Sequence, residues 1–465
     1  MSNLIHSVLG FKKMSPAQKI ALSFLFVILV GAFLLTMPFS NKNGQFLNPI
    51  DALFMATSAT CVTGLGVVTV ADQFNLFGQI VMMLLIQVGG LGLMTFMAIF
   101  VLLLKNRLSI NEKIAMKEML NQDRVINMRK FLLDILRYTL FFEAIGAILV
   151  SIRMIPQYGI TDGIFKSIFL AVSAFCNAGF DTLGGISLQE YVHDPLICLT
   201  IMSLIVLGGL GFAVWFDIRD KVRQVFQGNL TWKKLRHSLS FHTKIVLSVT
   251  AFLIVVPGLM IMALEYNNPS TMQDFNIFEK LMSAMFESIA LRTAGFTSIN
   301  YAGLEPATAL LMMVVMFIGG SPGGTAGGIK TTTMAVLVVY LISSLKGREH
   351  TVVLRRNIRE NIVIHAMGVF FVNLFVLITG IFLLNITEQQ TFLSLCFEAV
   401  SALATVGSSL GITSSLTVWG ELIIIFLMYV GRIGISTFII SLIRNRPNRS
   451  SANKVSYPNG NIIVG

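Results

Sequence analysis

The stretch SATCVTGLG, Ser58 to Gly66, says little alone, but it returns three times: SAFCNAGFD from Ser173 to Asp181, IALRTAGFT from Ile289 to Thr297, and ALATVGSSL from Ala402 to Leu410. Aligned, each copy centres on a glycine. These are Gly64, Gly179, Gly295 and Gly407, spaced by 115, 116 and 112 residues. A second glycine feature follows each after 25, 29, 24 and 24 residues: GGLG from Gly89, GGLG from Gly208, GGSPGG from Gly319 and GRIG from Gly431. Two landmarks recurring in register four times mark an internal repeat, which sets the architecture before any motif is considered. The competing reading, close-packing glycines between helices, explains neither the register nor the short segment before each glycine.

Composition fixes the setting. The chain has 465 residues, 55% hydrophobic and 12% charged. Apolar runs long enough to span a bilayer occur at 20–38, 79–104, 138–154, 196–216, 245–264, 307–345 with a break, 362–385 and 421–443. The expectation is an all-α polytopic membrane protein with about eight spanning helices. The first run follows Phe11, Lys12 and Lys13 and ends at Met37-Pro38 without a small-residue cleavage site, so it reads as a retained helix. The net charge of +11 is not spread evenly. Three basic residues precede the first span, and the rest of the excess lies at 105–130, 219–244, 346–359 and beyond 443, which together hold 26 of the 34 Lys and Arg. The intervening segments are nearly free of them. The positive-inside rule therefore puts both termini in the cytoplasm, and the charge is read as topology in a multi-pass plasma-membrane protein, not as a nucleic-acid site. Cys61, Cys176, Cys198 and Cys396 show no metal or redox spacing and read as small buried residues.

Each repeat reads as a spanning helix (M1), a short stretch, the glycine, and a second spanning helix (M2). The stretch DALFMATSAT, Asp51 to Thr60, makes a helix of roughly 15 Å, too short for a core of about 30 Å. It can enter and return, and backbone of that kind must line a cavity. Two spans per repeat orient all four copies alike, so four parallel M1-pore helix-M2 repeats can surround one central pore. The boundaries expected are 1–104, 105–216, 217–345 with a broken M2, 346–443, and a cytoplasmic tail at 444–465. The four returns would present backbone carbonyls to a cation, as potassium filters do, with glycine permitting the angles and pore-helix C-terminal ends adding partial negative charge. The ion-binding candidates are Val62, Thr63 and Gly64; Asn177, Ala178 and Gly179; Thr293, Ala294 and Gly295; and Thr405, Val406 and Gly407.

GGSPGGTAGGIKTTT, Gly319 to Thr333, invites comparison with a phosphate-binding loop. Ile329 separates Gly328 from Lys330, and both flanks, ATALLMMVVMFI and MAVLVVYLISSL, are membrane-like. It reads as a break inside the third M2.

Four M1-P-M2 units, one filter glycine in each, and a third M2 broken by this segment resemble the Trk/Ktr/HKT superfamily of potassium transporters over nearly the whole chain. With no two extra N-terminal helices, the likeness is to KtrB-type membrane subunits of bacterial Ktr systems. Some HKT members that favour sodium carry serine in the first repeat, so Gly64 favours potassium. The resemblance implies potassium uptake through a channel-like pore, no enzymatic activity, no bound cofactor, sodium as a candidate activator, a homodimer, and a cytoplasmic ring of nucleotide-binding RCK subunits. The basic segments 105–130 and 219–244 and the tail Arg444 to Gly465 are candidate docking surfaces for that ring.

The glycine-rich stretch then reads as an intramembrane gate beneath the filter, the alternative being a static kink. Its residues are Gly319, Gly320, Ser321, Pro322, Gly323, Gly324, Thr325, Ala326, Gly327, Gly328 and Lys330. Arg432 interrupts the fourth M2 where the other repeats carry Gly90, Gly209 and Gly320. Intramembrane charge marks function by default, and a cation there would slow potassium; the resemblance implies the same narrowing role. The alternative is pairing with Glu287 or Glu398, or with helix carbonyls. Arg292 is expected to brace the filter by bonding Glu287 or Glu398. Glu143 lies near mid-membrane without an evident partner, Asp134 and Arg137 are spaced to pair, and His365 and Asn373 are expected to bond a neighbouring helix. A sodium- or proton-coupled symporter is the second functional reading. It would call for midplane carboxylates in inverted repeats, whereas these repeats are parallel.

Overall fold

The computed structural model describes residues 15–92, 128–185, 187–348 and 350–442. The basic stretch from 105 to 127 and the tail beyond 442 lie outside them. The described chain is mostly helical. Long helices α1 (Pro16–Thr36), α4 (Met128–Tyr158), α9 (Phe241–Glu265) and α13 (Glu360–Thr387) are long and apolar enough to cross a membrane. Each is followed by a shorter one: α2 (Pro49–Cys61), α5 (Ile160–Cys176), α10 (Ile277–Ala290) and α14 (Phe392–Ala404). Next come α3 (Leu76–Leu91), α6 (Pro195–Gly209), α11 (Pro306–Phe317) and α15 (Val418–Ile433). Besides single helical turns such as Val70–Gln73, the remaining elements are α7 (Phe212–Phe226), α8 (Trp232–Ser238), α12 (Thr331–Leu345), a hairpin of β1 (Val352–Val353) and β2 (Arg356–Asn357), and α16 (Ile435–Leu442).

Starts and stops follow local chemistry. Ser15 opens α1 with a capping box closed by Gln18, and Asn48, Asn75, Asp194, Asn276 and Thr417 cap later helices with a side-chain oxygen, which satisfies amides that the helix leaves unpaired. The long helices turn large apolar side chains outward, Phe33, Phe141, Phe252 and Phe375 among them. The short helices are the core. Phe54, Phe169, Phe286 and Phe397 are fully buried, one in each.

Packing joins neighbours in a closed sequence. Helix α3 packs on α5, α6 on α10, α11 on α14, and α15 on α2, so the last shorter apolar helix lies against the first short helix. Buried carboxylates fasten two of the return segments. Glu287 accepts from the Ser298 N–H and hydroxyl, both at 2.7 Å, and from Tyr301 Oη; Glu398 accepts from Ser409 and Thr413.

The structure departs from the expected continuous runs. The run expected at 196–216 is bent by 98° between α6 and α7, through Gly211 at φ +89°, and the run ending at 443 breaks at Gly434, φ +84°. Helix α3 stops before Gly92, φ +79°. The third M2, split between α11 and α12, is therefore one of several interrupted helices. The second glycine feature of each repeat admits a left-handed residue that other side chains resist.

Replacing Glu287 by Ala removes the shared acceptor of Ser298 and Tyr301 and leaves buried donors unpaired. The expected cost is about 1–3 kcal/mol, read as a lower thermal midpoint of the purified protein; an unchanged midpoint contradicts this fastening.

Candidate functional site

The four central glycines meet in a closed ring. A Cβ built on Gly64 would stand 3.2 Å from the Gly179 Cα and 3.3 Å from that of Gly407. One on Gly179 would stand 3.1 Å from the Gly295 Cα, and one on Gly295 3.1 Å from the Gly407 Cα. Each such Cβ would also strike the carbonyl oxygen preceding a neighbouring glycine: Ala178 O at 2.6 Å for Gly64 and Ala294 O at 2.6 Å for Gly179, with Val406 O and Thr63 O completing the circle. All four glycines have positive φ, between 71° and 99°. Geometry and crowding thus both require glycine.

The amides of this ring are tied back toward the helices. The N–H groups of Thr63, Ala178 and Val406 each donate at 2.8 Å to the carbonyls of Ser58, Ser173 and Ser401, and Ala294 donates at 2.8 Å to Ala290. Gly64 and Gly407 donate to the hydroxyls of Ser58 and Ser401, both at 3.1 Å. Gly295 N–H donates to Ala290 O at 3.3 Å, so with most of the ring's donors satisfied behind, carbonyl oxygens are the polar groups that remain to serve the ring. The residues two before each glycine, Val62, Asn177, Thr293 and Thr405, all adopt the left-handed region, φ 53° to 69°. For β-branched side chains that costs on the order of 1–3 kcal/mol each, strain typical of functional sites. The Thr63 and Thr405 hydroxyls are buried without a hydrogen-bond partner among the described residues.

The segment from Gly319 to Lys330 lies directly against this ring. It closes on itself through Gly319 N–H to Ile329 O, 2.9 Å, and Gly320 N–H to Gly327 O, 3.3 Å. It then donates outward: Ser321 N–H to Gly209 O, 3.0 Å, and Thr325 N–H to Gly208 O, 3.2 Å. Its Gly323 carbonyl accepts from the Phe212 N–H at 3.0 Å. The Thr325 hydroxyl reaches Phe175 O at 3.1 Å and Asn177 Oδ1 at 3.2 Å, while the Gly327 N–H donates to the Thr293 hydroxyl at 3.2 Å. Asn177 also donates to Arg292 O at 3.2 Å, which links two returns and the loop. Lys330 donates to Ala326 O at 2.8 Å and Gly327 O at 3.4 Å.

Arg432 bonds carbonyls, not carboxylates. It donates to Thr325 O at 2.5 Å, to Gly89 O, and to Gly90 O at 3.3 Å. The break after α3 is therefore served by Arg432 as the break after α6 is served by loop amides. The expected bond from Arg292 to Glu287 or Glu398 is not formed. Both carboxylates are held by hydroxyls of their own return segments, and Arg292, 2% exposed, has Nε and one Nη without a partner among the described residues. Glu143 does have partners, Gln87 Nε2 at 3.4 Å and Cys176 Sγ at 3.9 Å. Asp134 bonds Arg219 at 2.8 Å more closely than Arg137 at 3.8 Å. Asn373 bonds Val369 O of its own helix, not a neighbour.

Ser58 and Ser401 were not among the expected site residues. The available signal was a serine six residues before the glycine in three of four repeats, Ser58, Ser173 and Ser401. Ser58→Ala and Ser401→Ala each free one glycine amide, at a cost of about 1 kcal/mol. The expected outcome is a lower thermal midpoint of the purified double variant. A wild-type midpoint contradicts the role assigned to the serines.

A helical membrane protein whose short helices converge on a ring of glycines, crossed beneath by a self-bonded loop and one arginine, falls in the class of membrane cation transporters. The chain belongs to the TrkH family of cation transport proteins, whose sequence profile matches residues 4–454. It is 39% identical over 458 residues to the Ktr system potassium uptake protein B of Bacillus subtilis, covering 98% of each chain. It is also 39% identical to the potassium/sodium uptake protein NtpJ of Enterococcus hirae, again over 98% of both. The crystal structure of the potassium transporter TrkH from Vibrio parahaemolyticus superposes with a TM-score of 0.71 at 19% identity, covering 91% of this chain and 84% of that one.

Proposed function

We propose that this protein takes up potassium across the plasma membrane through a channel-like pore whose filter is the ring of four glycine segments. The single observation that carries the reading is the ring itself, with amides tied back to the short helices and carbonyls of Thr63, Ala178, Ala294 and Val406 crowded against the next glycine. Carbonyl oxygens replace a hydration shell without carrying a net charge of their own. The names of the relatives, one a potassium uptake protein and one a potassium/sodium uptake protein, support the choice of cation.

In this reading the four M1-P-M2 repeats, bounded as 1–104, 105–216, 217–345 and 346–443, are parallel around one axis and supply eight spans. Both termini are cytoplasmic, as the basic segments argue. The loop from Gly319 to Lys330 and Arg432 form the gate. Their bonds converge on the carbonyls of Gly89, Gly90, Gly208 and Gly209, so the closed arrangement satisfies polar backbone that hydrocarbon cannot. The pore subunit works as a homodimer on a cytoplasmic nucleotide-binding ring, as in Ktr systems, with sodium as an activator.

Purified protein in liposomes tests both parts. Gly64→Ser is expected to weaken potassium preference over sodium, because its side chain would meet the Ala178 carbonyl. Deletion of Ser321 to Gly327 is expected to raise flux, because it removes the loop's bonds across the path. Flux that requires a sodium or proton gradient and ignores Gly64→Ser would instead point to a coupled symporter; unchanged flux after the deletion would remove the gate.

A further inference from the structure

On the basic side of the molecule, two cavities meet between α9, α12 and α13, and neither takes part in the ring or the loop. The larger, about 790 Å³, is lined by Arg348, His350, Arg359, Ser343, Ser344 and Asn361, with Glu360 also at its wall. It opens on the start of α13. The cap residue Arg359 makes no side-chain capping bond, and the first amide of that helix to find a carbonyl is that of Ile362. Unpaired amides of a helix start beside guanidinium groups suit a phosphate oxygen. The smaller cavity, about 340 Å³, is apolar, with Val249, Phe252, Met334, Val338 and Leu354 among its walls. Ile358 lines both. Both volumes fall in the range of small-molecule sites, roughly 300–1,000 Å³.

The hairpin arranges this junction. Its two-residue turn, Leu354-Arg355, holds both residues at positive φ, 47° and 63°, a conformation usually left to glycine or asparagine. Ile358 N–H closes it on Thr351 O at 2.8 Å. The result sets Leu354 in the wall of the apolar groove, while Arg356 lies over the Phe241 ring at 5.5 Å.

We propose that this double cavity binds one anionic phospholipid, its phosphate among Arg348, Arg359 and the first turn of α13, and an acyl chain in the groove between α9 and α12. Charge complementarity selects the headgroup, since basic pockets between membrane helices on the cytoplasmic side hold acidic lipids. The adjoining groove selects a lipid over a free anion, because phosphate or a nucleotide would leave it unfilled. Phe252 and Val338 in its walls are exposed on the apolar belt. A lipid seated there touches α12, which begins at Thr331 immediately after the loop and donates from that residue to Gly320 O at 3.1 Å. It would therefore fix the helix on which the loop is mounted.

The placement in the cytoplasmic leaflet rests on the orientation proposed above, but binding can be read without flux or orientation. Full-length protein is reconstituted in phosphatidylcholine vesicles containing phosphatidylglycerol, gently solubilised, and its retained lipid is counted by native mass spectrometry. Preferential retention of phosphatidylglycerol is expected, reduced about thirtyfold by Arg348→Gln with Arg359→Gln, the scale of two cations near an acidic headgroup. Val338→Trp, which fills the groove and keeps both arginines, should also lower retention; Lys233→Gln with Lys234→Gln should not. Equal retention of the two lipids, or variants that retain lipid as the wild type does, overturns the proposal. So does complete displacement by glycerol phosphate, which would make this a site for free anions, or disulfide linking of two copies through Leu354→Cys with lipid retention unaltered, which would make it a contact between subunits. A wild-type protein with no lipid preference but intact potassium flux would sink this site alone, whereas a wild-type protein with no flux but intact lipid preference would sink the transport reading alone.

Discussion

Backbone amides and carbonyls inside a bilayer have no water to turn to, and the irregular segments around the glycine ring are shaped by that fact. The chain leaves helical geometry at four returns and again at the second glycine feature of each repeat. Each departure exposes polar groups. At the returns, amides bond back to the short helices and carbonyls are left to the ring. Behind Gly208 and Gly209, the carbonyls freed by the break accept amides of the Gly319–Lys330 loop; behind Gly89 and Gly90 they accept Arg432. A loop in one quarter and a cation in another thus solve the same problem.

This interdependence gives the ring and the loop a shared mechanical fate. Thr325 touches Asn177, Phe175, Gly208 and Arg432, while Gly327 touches Thr293. Moving the loop strips hydrogen bonds from residues that hold strained left-handed conformations at the ring. Such bonds are worth little each in water, but leaving them unmade in a buried site is expensive. The proposed gate is therefore a bonded plug rather than a free flap.

Periodicity and composition made much of the fold legible. The glycine register predicted which segments converge, and ten residues between apolar runs predicted helices too short to span. The breaks were harder. Leu210-Gly211 sits inside an apolar run with no polar flank, and Gly434 follows the single charge of Arg432 inside another, so hydropathy reads through both, whereas the third break advertises itself with a proline and six glycines. Partners of single charges were not legible at all. Arg292 lies a short sequence distance from Glu287, yet hydroxyls of the return segment reach that carboxylate first. Glu143 finds Gln87 and Cys176 from two other helices, a juxtaposition that only packing creates. The serines behind the glycines were visible as a recurring letter, but their role depends on where the helix end turns.

The central claim is that the glycine ring is where the cation is held. Crystals of the protein grown in rubidium or thallium salts, with anomalous diffraction collected at the ion's edge, address it directly. The account predicts an anomalous peak on the ring axis, within reach of the carbonyls of Thr63, Ala178, Ala294 and Val406. A vacant axis with the ion instead beside Glu143, or anywhere outside the ring, would contradict it.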